Sequence, residues 1–150
     1  MNENDRGLLI ESIQLAENCP PSPTFSVGAI IADAGGNVLA TGYSGETAPH
    51  DHAEEAALAK LDNDDPRLVG ATLYTSLEPC SKRSSRPKSC TQLILETAIP
   101  RVVFAWREPN IFVDCIGAEL LRDAGREVVE VPDLAYLVRK TNSYMPGVAE

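Results

Sequence analysis

Apolar positions along this chain fall into short runs and helical stripes, separated by clusters of turn-forming residues. Over residues 5–18, Leu8, Leu9, Ile13 and Leu15 recur at near-helical spacing until CPPSP breaks the pattern, which predicts a first helix. Residues 27–32 and 37–41 are short apolar runs joined by DAGG, whose glycines suit the turn of an antiparallel hairpin. Residues 52–61, rich in Ala, Glu and Leu, predict a helix ended by the acidic DNDDP, and 71–76 a strand. A helix over 91–98, a buried strand over 101–105 and an amphipathic helix over 116–124 closed by Gly125 follow. Residues 127–131 read as the last strand and 133–143 as a weakly capped helix. Strands alternating with helices after an opening hairpin imply an α/β fold, a mixed sheet covered by helices on both faces. Sites in such folds lie at the carboxyl ends of the strands.

With no repeat, linker or low-complexity tract, residues 1–150 are expected to form one domain, and a hydrophobic content of 43% can build its core without disulfide staples. No apolar run approaches the roughly 18 to 20 residues that span a bilayer. The start, MNENDRGLLIESI, is acidic and polar where a secretory signal would be basic and then apolar, so a cytoplasmic protein without membrane contact is expected. In that compartment thiols stay reduced. The four cysteines, Cys19, Cys80, Cys90 and Cys115, are then candidates for metal binding, chemistry or burial, not for bridges. A net charge of -9 repels polyanions, which favours a small-molecule partner over nucleic acid.

His52, one of two histidines, stands two residues before Glu54 at the start of a predicted helix, and EPC ends in Cys80, with nine residues between it and Cys90. Three nitrogen and sulfur ligands with water in a fourth position describe a catalytic zinc site, and His52, Cys80 and Cys90 are such a set. Glu54 is placed to act as the general base beside the metal-bound water. HxE followed by PCxxC is the signature of zinc deaminases, although that signature has two residues between the cysteines. Taken alone, HAE reads as a surface helix with a favourable acidic first turn, and Pro79 as a helix-start proline. Cys19 and Cys115 read as buried small apolar residues. The conjunction of all the parts in one order argues against coincidence.

The segments SVGAIIADAGGNVLATGYS, HAEEAAL, LYTSLEPCS, RVVFAWREPN and GAELLRDAGREV cover nearly the whole chain, and together they resemble the pyrimidine deaminases of riboflavin biosynthesis in the cytidine-deaminase superfamily. TGYSGE and the long gap PCSKRSSRPKSC are more similar to the fungal form, which acts on the ribitylamino substrate, than to the bacterial one. The resemblance implies a three-layer sandwich around a mixed five-stranded sheet. It also implies a zinc-dependent hydrolase, a cyclic amidine deaminase, whose substrate is a diamino-(ribosyl/ribityl)amino-pyrimidinone phosphate or a related metabolite. A homodimer or higher homo-oligomer is expected on the same ground. Two departures bear on the substrate. Bacterial members carry SPNP where this chain has Ser22, Pro23, Thr24 and Phe25, so a substrate-holding asparagine is replaced by Thr24; and Lys82 and Arg83 follow Ser81 where they have His and Gly.

Lys82, Arg83, Arg86 and Lys88 form the dense basic patch of an acidic chain, between two candidate ligands. A substrate phosphate would explain it, and so would a solvated charged loop. Contact with single-stranded nucleic acid is disfavoured, because the patch has no interleaved aromatics on which bases could stack. Two rival readings stay open. One is deamination of a free base or nucleoside such as guanine, cytosine or cytidine; the other is a non-catalytic zinc module closed by His50 or Cys115 as a fourth ligand.

Overall fold

A computed structural model of the chain describes residues 3–21, 24–81, 87–107, 115–145 and 148. The five strands are β1 (Gly28–Ala32), β2 (Val38–Tyr43), β3 (Thr72–Leu77), β4 (Arg101–Trp106) and β5 (Glu127–Glu130). The helices are α1 (Glu3–Leu15), α2 (Ala53–Leu58), α3 (Cys90–Leu95), α4 (Gly117–Asp123) and α5 (Ala135–Thr141). The strands form one sheet in the order β2-β1-β3-β4-β5. β1 runs antiparallel to both β2 and β3, while β3, β4 and β5 are parallel. This is the mixed five-stranded α/β sheet that the chain's pattern and its resemblance implied.

Alternation along the inner strands feeds two cores. Ala29 and Ile31 of β1, Leu73 and Leu77 of β3 and Val102 of β4 pack with Ala53, Ala57, Leu58, Ile94 and Leu121 from α2, α3 and α4. On the other face Ile30, Ala32, Tyr74, Val103 and Ala105 pack with Leu8, Leu9 and Ile13 of α1 and Val138 of α5. Burial on both faces is why β1 and β3 have no exposed position, whereas the edge strand β2 alternates.

Most elements lie where the sequence places them, and the differences have local causes. α2 stops at Leu58 because the chain tightens into bonds from Lys60 N to the Ala57 carbonyl and from Leu61 N to the Leu58 carbonyl. The final helix begins only at Ala135, after a 3-10 turn at Pro132–Leu134. A second turn, Pro66–Gly70, has no apolar periodicity to announce it; Asp65 caps it by accepting from Arg67 N at 2.9 Å. Cys19 and Cys115 are half-buried rather than core residues, and each sulfur lies near a carbonyl, that of Val27 at 3.6 Å and of Pro79 at 3.3 Å. No helix among the described residues is long and apolar enough to cross a membrane.

One ion pair joins α1 to the sheet. Arg101 at the start of β4 grips Asp5 through two parallel bonds of 2.7 Å, and Tyr74 donates its hydroxyl to the same carboxylate at 2.6 Å. Asp5 is 2% exposed, so these donors replace the water it loses. Burial, then the bond to Asp5 and that carboxylate's charge, pushes Tyr74 up to about 12 from an ordinary 10.0. A proton held more tightly in the folded state contributes stability that is complete below the ordinary value and is lost as pH rises through the folded one. Denaturant stability should therefore fall between pH 10 and about 12. Tyr74→Phe should remove that component, seen as a shallower loss than wild type over the same range; parallel alkaline curves for the two proteins would show that Tyr74 is not its source.

Candidate metal centre

His52 caps the start of α2, with extended backbone angles, and its N–H donates to the Glu55 carboxylate at 3.3 Å. Two features seat it. Gly42 of β2 lies so close to the first turn of α2 that a Cβ there would stand 2.3 Å from the Ala53 carbonyl, so only glycine lets helix and strand approach this closely. The loop before it is tied on Asp51, whose Oδ2 accepts from Thr47 N at 3.1 Å, from Ala48 N at 2.9 Å and from the Thr47 hydroxyl.

Cys80 follows the end of β3 but does not start a helix, so Pro79 is not the helix-start proline that the sequence suggested. The helix begins ten residues later, with Cys90 as its first residue. Ser89 is the cap: its Oγ accepts from Gln92 N at 3.1 Å while the Gln92 side chain accepts from Ser89 N at 2.8 Å. The Cys80 segment is held from two sides. Thr91 N donates to the Cys80 carbonyl at 3.1 Å, and on the other side α4 presses on Pro79, with Gly117 so near that a Cβ would lie 2.0 Å from the Pro79 carbonyl. Buried Glu78 adds a tie by accepting from Ala118 N at 3.1 Å.

These elements bring His52 Nδ1 to 3.6 Å from Cys80 Sγ and 3.3 Å from Cys90 Sγ. The three ligand atoms lie within 4.8 Å of one another, and among the described residues they are the one group of His, Cys, Asp or Glu side chains so placed. Zinc bonds of about 2.3 Å to sulfur and 2.0 to 2.1 Å to nitrogen put tetrahedral ligands roughly 3.5 to 3.8 Å apart, so the cluster fits a zinc ion. The imidazole presents Nδ1, a choice of ring nitrogen no sequence motif specifies. Cys80 is held well below its ordinary pKa, chiefly by the hydrogen bond from the Cys90 thiol and then by those from His52, against a burial that pushes it up. That thiolate character suits a metal ligand. Neither His50 nor Cys115, the candidate fourth ligands, belongs to the cluster.

Glu54, in the first turn of α2, is 4% exposed. Burial pushes its carboxyl up; His52 opposes this and the Cys80 charge adds to it. The Thr75 hydroxyl lies 3.2 Å from its Oε2. Thr75 and its contact were not singled out from the sequence, although a polar residue between Leu73 and Leu77 on a buried strand face was a signal. Thr24 is exposed, and its carbonyl accepts from Tyr144, whose hydroxyl also lies 2.9 Å from Ser26 Oγ. Asn142 clamps the same segment, accepting from Ser26 N at 2.6 Å and donating to the Ser26 carbonyl at 3.1 Å. Lys82, Arg83 and Arg86 lie outside the described residues, and Lys88 pairs with Glu96 at 2.6 Å.

Comparison with known proteins agrees with this geometry. Residues 2–106 match the cytidine and deoxycytidylate deaminase zinc-binding region. A diaminohydroxyphosphoribosylamino-pyrimidine deaminase of Schizosaccharomyces pombe is 42% identical over 130 residues, covering 85% of this chain and 32% of the relative. The riboflavin biosynthesis protein RibD of Aquifex aeolicus is 41% identical over 108 residues, covering 72% and 28%. The chain thus spans about a third or less of the length of these relatives. Among solved structures, a Thermotoga maritima diaminohydroxyphosphoribosylaminopyrimidine deaminase/reductase superposes with a TM-score of 0.78 at 32% identity, over 92% of this chain and 39% of that one. The Aspergillus oryzae Rib2 deaminase in complex with DARIPP superposes with a TM-score of 0.77 at 26% identity, over 93% and 90%. By sequence, fold and the convergence of one imidazole with two thiols, the chain belongs to the cytidine and deoxycytidylate deaminase family.

Proposed function

We propose that this chain is a zinc-dependent hydrolase of 150 residues in one domain that deaminates a diaminohydroxyphosphoribosylamino-pyrimidine or its ribitylamino counterpart. The observation that carries this reading is the convergence of His52, Cys80 and Cys90 beside the buried carboxylate of Glu54. The substrate class is supported by the names of the relatives, a fungal deaminase of that pyrimidine and a deaminase crystallised with DARIPP. A cytoplasmic location and self-association into a dimer or larger assembly are expected with it. Support for the assembly comes from the resemblance alone, and light scattering at working concentration decides it.

The reaction exchanges an exocyclic C–NH2 for C=O, consuming water and releasing ammonia. A zinc ion held by the three ligands would lower the pKa of water toward neutrality and polarise the site. Glu54 takes one proton from the attacking water and gives it to the ring nitrogen, then takes the second from the hydroxyl now on the ring carbon and gives it to the departing amine, so that the carbonyl forms and ammonia leaves instead of an amide anion. The burial that pushes its carboxyl up suits a group that must both accept and release a proton. His52 would hold the ion as a neutral imidazole, and the two sulfurs as thiolates would offset its charge.

Purified protein should carry about one zinc per chain. Cys90→Ala and His52→Ala should lose it while His50→Ala keeps it; stoichiometric zinc in Cys90→Ala, or equal loss from both histidine variants, would refute the ligand set. Glu54→Gln should retain zinc and fold yet lose roughly 10²- to 10⁴-fold in turnover, measured as ammonia release, and a near-normal rate would remove Glu54 from the mechanism.

Lys82 and Arg83 are proposed as phosphate-binding residues because they stand directly after Ser81 in a basic patch between two proposed ligands, and Thr24 as a substrate contact because it stands where the bacterial members it resembles carry a substrate-holding asparagine. Each charge-assisted bond to a phosphate contributes about 1.5 to 3 kcal/mol. A Lys82→Ala, Arg83→Ala double variant should therefore lose roughly two to three powers of ten in kcat/KM on the phosphorylated substrate, with little change on its dephosphorylated form. Equal losses on both substrates would assign the loop to support of the metal centre, and no loss on either would make it a solvated surface feature.

A further inference from the structure

Along β3 the residues facing the metal-centre core are Leu73, Thr75 and Leu77, so a hydroxyl stands between two leucines of an apolar cluster. Thr75 has no exposed surface. Its Oγ1 lies 3.2 Å from Glu54 Oε2 and also 3.2 Å from the Leu77 carbonyl oxygen. A hydroxyl has one hydrogen to donate and lone pairs with which to accept, so at any instant it donates to one of these two oxygens. Both choices leave it satisfied without water.

We propose that Thr75 is a positioning residue for Glu54, its hydroxyl occupying Oε2 and fixing the carboxylate plane so that Oε1 is the oxygen that exchanges protons. The inference rests on the reading of Glu54 as the proton carrier. A bond to an ionised acceptor is stronger than one to a neutral carbonyl, so with Glu54 charged the hydrogen belongs to Oε2. A valine would fill the same space in apolar surroundings and remove only the hydroxyl.

The test compares Thr75→Val, Thr75→Ser and Thr75→Ala with wild type. Thr75→Val should keep wild-type zinc content and thermal midpoint, lower kcat roughly 10- to 100-fold and leave KM unchanged, as expected when one bond to a charged group is lost. Thr75→Ser should recover most of the rate, and in a Glu54→Gln background Thr75→Val should cost nothing further. A readout independent of turnover is the crystal structure of the metal-free proteins, in which the Glu54 carboxylate should hold one orientation in wild type and turn or divide between orientations in Thr75→Val, with Thr75→Ala as the second variant should valine disturb the fold. A Thr75→Val protein with wild-type kcat, or with the carboxylate in its wild-type orientation, overturns the proposal. Near-normal turnover by Glu54→Gln would instead overturn the assignment of Glu54 as proton carrier, and the crystallographic comparison would still decide whether Thr75 holds the carboxylate.

Discussion

Strand direction is the constraint on which the site depends. Because β1 is antiparallel to both β2 and β3, those two strands point the same way, and β4 and β5 continue in that direction. A chain joining parallel strands must cross back over the sheet, and here each crossover is a helix, α2, α3 or α4 in turn. All three pack on one face, so all three begin at the same edge of the sheet. His52 caps the first, Cys90 opens the second, and the start of the third presses on the carbonyl next to Cys80. Cysteines 28 and 38 positions from His52 in sequence thereby bring their sulfurs to 3.6 and 3.3 Å from its Nδ1.

The same arrangement accounts for the electrostatics. The apolar wall that β1 and β3 present to α2 excludes water from Glu54 and from both sulfurs, and what replaces water is protein: Thr75 for the carboxylate, Cys90 N at 3.2 Å and the imidazole for Cys80. Removing water separates the two kinds of group. The carboxyl, where burial outweighs the donors it keeps, is pushed toward its neutral form, while Cys80, with several donors, is held toward its charged form. A carboxyl with a raised pKa and a thiol with a lowered one thus arise within one small volume.

Charge on the other face has a different task. Asp5, Arg101 and Tyr74 join α1 to β3 and β4 in the core away from the ligand cluster, where a buried charge is tolerated because its partners satisfy it on several sides. Asp5 and Glu54, both buried carboxylates, therefore differ by partners. Asp5 is saturated by a guanidinium and a phenol, whereas Glu54 keeps a thinner shell of donors, which suits the proton carrier proposed for it.

Element types and order were legible in the amino-acid sequence because periodicity survives in it: helical stripes in α1 and α4, unbroken apolar runs in β1 and β4, and glycines at the hairpin. The candidate ligands and Glu54 were legible because zinc chemistry admits few residue types and HAE and EPC name them in order. Sequence left open which cysteine opens a helix, which imidazole nitrogen faces the sulfurs and whether His50 or Cys115 joins them, since each depends on strand direction and crossover geometry. It also passed over Asp5 and Thr75, polar residues whose partners lie 96 and 21 positions away. Local pattern records which face a residue presents; only the folded sheet decides what that face meets, because contacts across a crossover are made by packing and leave no period along the chain.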